Sequence, residues 1–308
     1  MELRQFCSQS RVVIVAGKGG VGKTTVTAAL ALAATRAGRS ALICEVEGKS
    51  GLAAAFGSDA LEYDELQLDE RLTARTLAPD DAMVDYLESH GMKRFSRRLA
   101  KSGALDVVAT AVPGMKDILV LGKIKSLEQL PAADLIVVDA PAAGHAITFL
   151  LAAQGLLDAI RVGPIRKQAT EVVEMLTDAT RCQVMLVTLP EETPVNELIE
   201  TAFAVEDRAG VALGPVVVNG CTSSLGDAVV DGPALVAAGF APDIAEQAVS
   251  AAAFRASRYA MQATQIARLA TNLPLPQIHL PQLLTASVGR AELEVLADAM
   301  TNGIEALL

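Results

Sequence analysis

The sequence predicts an α/β fold: a mostly parallel sheet with helices on both faces. Short apolar runs of strand length alternate along the chain with longer segments of helical periodicity. A glycine-rich loop joins the first apolar run to the first helical segment. Of the 308 residues, 51% are hydrophobic and only 3% are aromatic. This composition favours helices packed on a parallel sheet over an aromatic-rich β-sandwich.

The individual elements follow from this alternation. The predicted strands are runs of consecutive apolar residues, at 12–15, 41–46, 134–139, 182–188 and 211–218. The clearest predicted helices keep their apolar residues on one face, at 24–36, 80–89, 92–101, 243–270 and 290–308. Gly38 is expected to end the first helix, and Thr193 with Pro194 to begin another, as cap and first residue.

Residues 58–130 depart from the alternation of strands and helices. They are predicted to form a helical subregion inserted in the core, with a strand only near 72–77. Residues 272–281 read as a proline-punctuated loop and strand, too short to link two domains. The sequence therefore predicts one domain over residues 1–308.

The charge and the terminal segments exclude several classes of protein. A net charge of -10 argues against a protein that coats nucleic acid, because such binding needs clustered cations. The first residues contain no apolar signal core, and no apolar run is long enough to span a membrane. We expect a cytoplasmic protein whose four widely spaced cysteines are free thiols.

The loop from Gly17 to Thr24 has the spacing of a phosphate-binding loop, between a strand and a helix as that motif requires. Glycines let successive backbone N–H groups point inward at phosphate oxygens, and the helix adds its positive end. Lys23 is predicted to contact the β and γ phosphates of a bound nucleotide and Thr24 to bind Mg²⁺. The predicted nucleotide-binding residues of the loop are Gly17, Gly19, Gly20, Val21, Gly22, Lys23, Thr24 and Thr25.

Asp139 ends the apolar run DLIVVD, where a phosphate-loop enzyme places the acid that holds Mg²⁺ through water. It is predicted to support the metal with Thr24.

An extra lysine, Lys18, gives the loop the form K-G-G-x-G-K-T. This form resembles the deviant phosphate loop of the dimerising ATPases that include MinD, ParA, the nitrogenase iron protein and the ArsA family. Other segments resemble the ArsA-like group, and an actinobacterial branch of it most closely. They are DAPAAGH at 139–145, PGMKD at 113–117, VTLPE at 187–191, VN at 218–219, NLPLP at 272–276, EVEG at 45–48 and GKIK at 122–125. The resemblance runs from residue 12 to about residue 285.

The resemblance implies roles for several residues. Lys18 would reach across a dimer interface to the nucleotide of the partner, in a homodimer or in a heterodimer with a paralogue. Asn219 would contact the adenine ring, although an Asx turn would also account for it. Pro274 and residues 275–280 would form the other wall of the base site. Gly144 and His145 would relay the state of the γ-phosphate, although His145 could also be a packing residue.

One departure from the family affects the chemistry. Glu47 stands where the family has the Asp that activates water. A carboxylate remains to orient water, but the added methylene moves it by about an ångström, which can cost on the order of 10²-fold in rate. We therefore predict an ATPase that hydrolyses slowly. The alternative is a weakly catalytic regulatory subunit that pairs with an active paralogue.

Other patterns narrow the functions that the resemblance allows. The scattered cysteines argue against arsenite as effector, and the absence of CxxC argues against an interfacial zinc site. Met83, Met92 and Met115 are interpreted as core residues. The basic segment 93–101 is either a solvated face or a contact for an acidic partner or membrane. A ParA or MinD type of partitioning protein is disfavoured, because residues 291–308 carry four acids and no Lys or Arg.

Overall fold

The computed structural model describes residues 2–46, 51–89, 91–92, 114–130, 133–226 and 230–307. Three features singled out in the sequence lie outside these ranges. They are Glu47, the basic segment 93–101 and Pro113.

Within the described residues, eight strands form one sheet in the order β3-β4-β2-β5-β1-β6-β7-β8. Neighbouring strands run parallel except for β3 and β4, which form an antiparallel hairpin at one edge. The strands are β1 (Val12–Gly17), β2 (Ala41–Glu45), β3 (Leu66–Asp69), β4 (Leu72–Thr76), β5 (Leu135–Ala142), β6 (Cys182–Thr188), β7 (Val216–Cys221) and β8 (Gln277–Pro281). The predicted fold class is confirmed.

Eleven α-helices lie in the described ranges, and a short π-helix follows the eighth. The helices are α1 (Leu3–Phe6), α2 (Lys23–Arg36), α3 (Gly51–Ala55), α4 (Pro79–Ser89), α5 (Met115–Gln129), α6 (Ala143–Ala159), α7 (Pro164–Thr177), α8 (Glu192–Phe203), α9 (Gly232–Ala237), α10 (Pro242–Asn272) and α11 (Arg290–Glu305), and the π-helix is Ala204–Ala209. Within these ranges, none combines the length and apolar character needed to cross a lipid bilayer.

The central strands are buried on both faces, which is why they appear in the sequence as continuous apolar runs. Side chains alternate along β1: Val13 and Val15 pack with α2 and α11, whereas Val12 and Ile14 pack with α5, α6 and α7 on the other face. Both faces of the sheet are therefore covered by helices.

Three elements differ from the sequence-based expectation. Strand β3 was not predicted, because Leu66–Asp69 is short and only partly buried. The hairpin that β3 forms with β4 makes part of segment 58–130 an edge of the main sheet. Strand β7 begins at Val216 rather than near 211, since Pro215 has no N–H to donate to a ladder. Helix α8 begins at Glu192 with Glu191 as its cap, two residues before the predicted cap Thr193.

The strand register fixes which residues meet at the carboxyl edge of the sheet. Asp139 of β5 is aligned with Val15 of β1 and with Glu45 of β2. The loop after β1 and the carboxylates at the ends of the neighbouring strands therefore lie at the same edge. In open α/β sheets this edge is where ligands bind.

Candidate nucleotide-binding site

The loop between β1 and α2 has a backbone that only glycine can adopt at two positions. Gly20 and Gly22 have φ angles of 88° and 90°, in the left-handed region that disfavours other residues. A Cβ atom at Gly17 would collide with the carbonyl oxygen of Val187, and one at Gly22 with the side-chain amide of Asn219. The close approach of other groups therefore also requires Gly17 and Gly22.

The loop leaves a concave space at the start of α2. Cβ atoms at Gly19 and Gly20 would meet no atom within 4 Å. The first N–H groups of α2 have no helical carbonyl to pair with, and the positive end of the helix dipole lies beside them. The arrangement provides backbone donors and open space for an anion.

Lys23 is the first residue of α2, and only 6% of its surface is exposed. Its Nζ atom lies 3.3 Å from the backbone oxygen of Lys18, to which it donates a hydrogen bond. The ammonium group is thus folded back over the loop. This position suits a cation that contacts bound phosphates.

Thr24 and Asp139 come together although they are 115 residues apart in the sequence. The Thr24 hydroxyl donates to Oδ2 of Asp139 at 2.5 Å, and Asp139 is only 4% exposed. A hydroxyl beside a carboxylate is a set of hard oxygen donors that fits Mg²⁺. Glu45, which is also buried, ends the neighbouring strand and was not singled out in the sequence as a site residue.

A cavity of about 290 Å³ continues from the loop toward the carboxyl ends of β7 and β8. Its lining includes Thr25, Asn219, Gly220, Arg258, Gln262 and Pro281. The side-chain amide of Asn219 donates to the backbone oxygen of Val21 at 2.9 Å, which ties this cavity to the phosphate loop. The amide oxygen and the second amide hydrogen of Asn219 remain suited to pairing with a base.

Gln262 of α10 is a site residue that sequence reasoning missed. It is 4% exposed, accepts a hydrogen bond from Thr222 N at 2.7 Å and donates to the backbone oxygen of Gly220 at 3.2 Å. These bonds hold the chain directly after Asn219. A polar residue on a helix is usually exposed, so only the tertiary structure identifies this one as a positioning residue.

Pro274 requires a correction. Strand β8 runs parallel to β7, so the segment before it lies at the amino edge of the sheet, opposite the phosphate loop. The proline of this segment that lines the cavity is Pro281, at the other end of β8, and Gln282 and Leu283 follow it in the lining. Residues 281–283, and not Pro274, therefore line the cavity beside Asn219.

Lys18 has a partner within its own chain. Its ammonium group pairs with the carboxylate of Glu197 on α8. The side chains of Lys18 and Glu197 are 44% and 36% exposed, so water screens this pair. Exposed ion pairs of this kind contribute about 0–1 kcal/mol, so little free energy is needed to release Lys18.

The segments 139–145 and 114–117, which are far apart in the sequence, lie near each other beyond the phosphate loop. Gly144 and His145 lie in the first turn of α6, directly after β5, and are exposed. Burial raises the pKa of Asp117, in the first turn of α5, and the charge of the nearby His145 opposes part of that rise. The first turn of α6 therefore lies near the first turn of α5.

The cysteines lie on separate elements, and all four are free thiols. Burial raises the pKa of Cys7 and Cys221 to about 11. It raises the pKa of Cys44 and Cys182 to about 12. Thiols of this kind are protonated near neutral pH, and the protonated form is a poor nucleophile. Among the described residues, no group of three or more His, Cys, Asp or Glu side chains is placed to hold a metal ion.

Replacing Gly22 by Ala is expected to lower the free energy of unfolding by about 1–3 kcal/mol, because alanine is strained at φ 90° and its methyl group would meet Asn219. The matched control is Gly19→Ala, since a Cβ there meets no atom within 4 Å. That variant should stay within about 0.5 kcal/mol of the wild type. Denaturant unfolding without nucleotide measures both, and equal losses would contradict this description of the loop.

Comparison with known proteins agrees with this geometry. Residues 10–161 match the model of the ArsA family, described as an anion-transporting ATPase. ATPase BagA of Mycobacterium tuberculosis is 36% identical over 223 residues, 68% of this chain and 64% of that protein. An arsenical pump-driving ATPase of Halobacterium salinarum is 24% identical over 231 residues, 68% of this chain and 35% of that protein.

A third relative, ATPase GET3 of Podospora anserina, is 31% identical over 149 residues, 46% of this chain and 42% of that protein. The matches cover 64% or less of the length of these curated relatives. They confirm the resemblance found in the sequence, including its actinobacterial branch.

Proposed function

We propose that this chain, which belongs to the ArsA-like ATPase family, binds ATP with Mg²⁺ at the loop between β1 and α2 and hydrolyses ATP to ADP and phosphate. The observation that carries the proposal is the meeting of Thr24 and Asp139 beside a phosphate-type loop with a buried Lys23. That combination supplies backbone donors, a cation and oxygen ligands within one site.

Each group would have a distinct task. The backbone N–H groups of residues 19–25 would bind the phosphates, and Lys23 would neutralise charge on the β and γ phosphates. Thr24 and Asp139 would hold Mg²⁺, which supplies Lewis-acid stabilisation of the phosphoryl oxygens when bound. Catalysis of this kind depends on positioning and charge more than on covalent chemistry by the protein.

The base would occupy the cavity beside Asn219. The amide of Asn219 can both donate and accept, which matches the edge of adenine. Gln262 would keep Asn219 in place through the backbone at Gly220 and Thr222.

We further propose that two subunits close on the nucleotide and that Lys18 then leaves Glu197 to contact the nucleotide of the partner. The weak, screened ion pair supports this, because breaking the contact between Lys18 and Glu197 needs little free energy. Gly144 and His145 would pass the loss of the γ-phosphate to α5 through Asp117. The partner would be either a second copy of this chain or a paralogue. The change in the dimer would act on a client protein, and the chain would work in the cytoplasm.

The proposed function is tested by steady-state ATP hydrolysis of the purified chain with Mg²⁺, alone and mixed with a paralogue encoded in the same genome. Activity of the chain alone supports the ATPase. Activity found only in the mixture would favour the regulatory-subunit alternative, and activity in neither would contradict the proposal.

Glu47→Gln is expected to lower kcat by about tenfold or more, because an amide cannot accept the proton of the attacking water. Affinity for a non-hydrolysable ATP analogue should stay within about twofold of the wild type, since Glu47 is assigned to act on the attacking water in the transition state and not on the bound nucleotide. Single-turnover hydrolysis and equilibrium binding separate these two quantities. A brisk wild-type rate that Glu47→Gln leaves unchanged would remove Glu47 from the mechanism.

A further inference from the structure

A second polar cavity, of about 380 Å³, lies at the amino edge of the sheet, opposite the phosphate loop. Its walls come from the end of α1 and from the residues just before β1, β2, β5 and β6. The polar residues that line it are Ser8, Arg11, Arg39, Ser40, Asp134 and Thr180. We propose that this cavity binds a small oxyanion of the phosphate class between Arg11 and Arg39. The oxyanion would be inorganic phosphate or the phosphate group of a small metabolite.

Arg39 is incompletely paired. Its Nη2 atom donates to the hydroxyl of Ser8, and its Nη1 atom lies 3.8 Å from Oδ1 of Asp134, too far for a hydrogen bond. Its Nε atom is buried and has no hydrogen-bond partner among the residues that the structure describes. Arg39 thus keeps donor capacity next to the cavity.

The hydrogen bonds that Arg11 makes to the described residues go to neutral groups. Its Nη2 atom donates to the backbone oxygens of Leu130 at 2.5 Å and Ala133 at 3.1 Å. Its Nε atom is also buried without a partner in the described part of the chain. Carbonyl oxygens hold the guanidinium group in place but do not neutralise its charge.

Asp134 is the carboxylate that lines this cavity, and much of its capacity is already used. It accepts hydrogen bonds from Ser40 N at 2.8 Å and from the Ser40 hydroxyl at 3.0 Å. These bonds, with smaller contributions from the charges of Arg39 and Arg11, hold the pKa of Asp134 below its ordinary value. Two guanidinium groups against one ionised carboxylate leave the lining positive, in a chain whose net charge is -10.

A positive cavity with unsatisfied guanidinium donors indicates an anionic ligand. A buried donor without an acceptor is costly, and a bound ion is one of the standard explanations for it. The planar fork of arginine matches the oxygens of phosphate-class anions, which can accept from two guanidinium groups at once. Hydroxyl groups of Ser8, Ser40 and Thr180 complete a lining suited to such an anion.

This cavity is separate from the nucleotide site. Arg11 precedes β1 and the phosphate loop follows it, and a six-residue strand spans about 20 Å. The two sites can therefore be occupied together and tested separately.

The test is isothermal titration of inorganic phosphate, and separately of glycerol 3-phosphate, into protein saturated with Mg²⁺ and a non-hydrolysable ATP analogue. Saturation fills the phosphate loop, so that binding reports the second cavity. We expect one site with a Kd of about 1 mM for at least one of the two anions. The tighter of the two identifies the source of the phosphate group. Arg39→Gln should weaken binding by about tenfold or more, because it removes a charged, forked donor.

The matched control is Arg71→Gln. Arg71 is exposed at the same edge of the sheet and donates to the backbone oxygen of Gly38 at 2.7 Å, outside the cavity lining. Its replacement should leave anion binding unchanged. If Arg39→Gln fails to fold, Arg39→Lys keeps the charge without the fork and should still bind more weakly than the wild type. Absence of binding by both anions up to about 20 mM, or equal binding by the wild type and the Arg39 variant, would overturn the proposal.

Discussion

Asp139→Asn is expected to lower the kcat of ATP hydrolysis by about 100-fold, because the buried carboxylate beside Thr24 is assigned to the support of Mg²⁺. The amide has nearly the same shape but no charge, so the fold should be preserved while the metal is bound less well. The concentration of Mg²⁺ needed for half-maximal activity should rise as well. Initial rates measured over a Mg²⁺ titration report both effects.

Asp158→Asn is the matched control for this substitution. Asp158 is exposed near the end of α6, away from the phosphate loop, and its replacement removes the same charge from the chain. Its rate and Mg²⁺ dependence should equal those of the wild type. If Asp139→Asn also behaves as the wild type, the metal is not held by Asp139 and the assignment is wrong.

Lys18→Ala is expected to lower the kcat of hydrolysis by about 100-fold, through the loss of a cation that stabilises charge in the transition state. Affinity of a subunit for the ATP analogue should change by less than about threefold, since the loop and Lys23 bind the nucleotide of their own chain. Mass measurement by light scattering should show the wild type, but not this variant, forming a dimer with the analogue.

Glu197→Gln distinguishes the two positions of Lys18. Its carboxylate pairs with Lys18 within the chain, and this exposed pair is worth about 0–1 kcal/mol. If Lys18 acts by leaving that pair, Glu197→Gln should keep hydrolysis within about threefold of the wild type. A loss as large as that of Lys18→Ala would show that the pair itself is what activity requires.

The central sheet could be predicted from the sequence because strands that are buried on both faces consist of consecutive apolar residues. Strands β1, β2, β5 and β6 were predicted close to their observed bounds. Strand β3 was missed because an edge strand of four half-buried residues carries no such run.

The site divides in the same way. Lys23, Thr24 and Asp139 could be placed together because parallel strands end at a common edge, so residues that follow two apolar runs are brought near each other. Pro274 was placed wrongly because the sequence does not show in which direction β8 runs. In the sheet β8 is parallel to β7, so the residues at its carboxyl end lie beside the site. Gln262 and Glu197 could not be found, since both lie on helices and only packing reveals what their side chains contact.

The most direct test of the central claim, that Lys18 completes the site of a partner subunit, mixes two inactive variants. In a mixed dimer of Lys18→Ala and Asp139→Asn subunits, the Lys18→Ala subunit keeps its own Asp139 and would receive Lys18 from its partner. Equal amounts should give a rate well above that of either variant alone and at most half of the wild-type rate, since each mixed dimer has one complete site out of two. A mixture no more active than the two variants measured separately would contradict the claim.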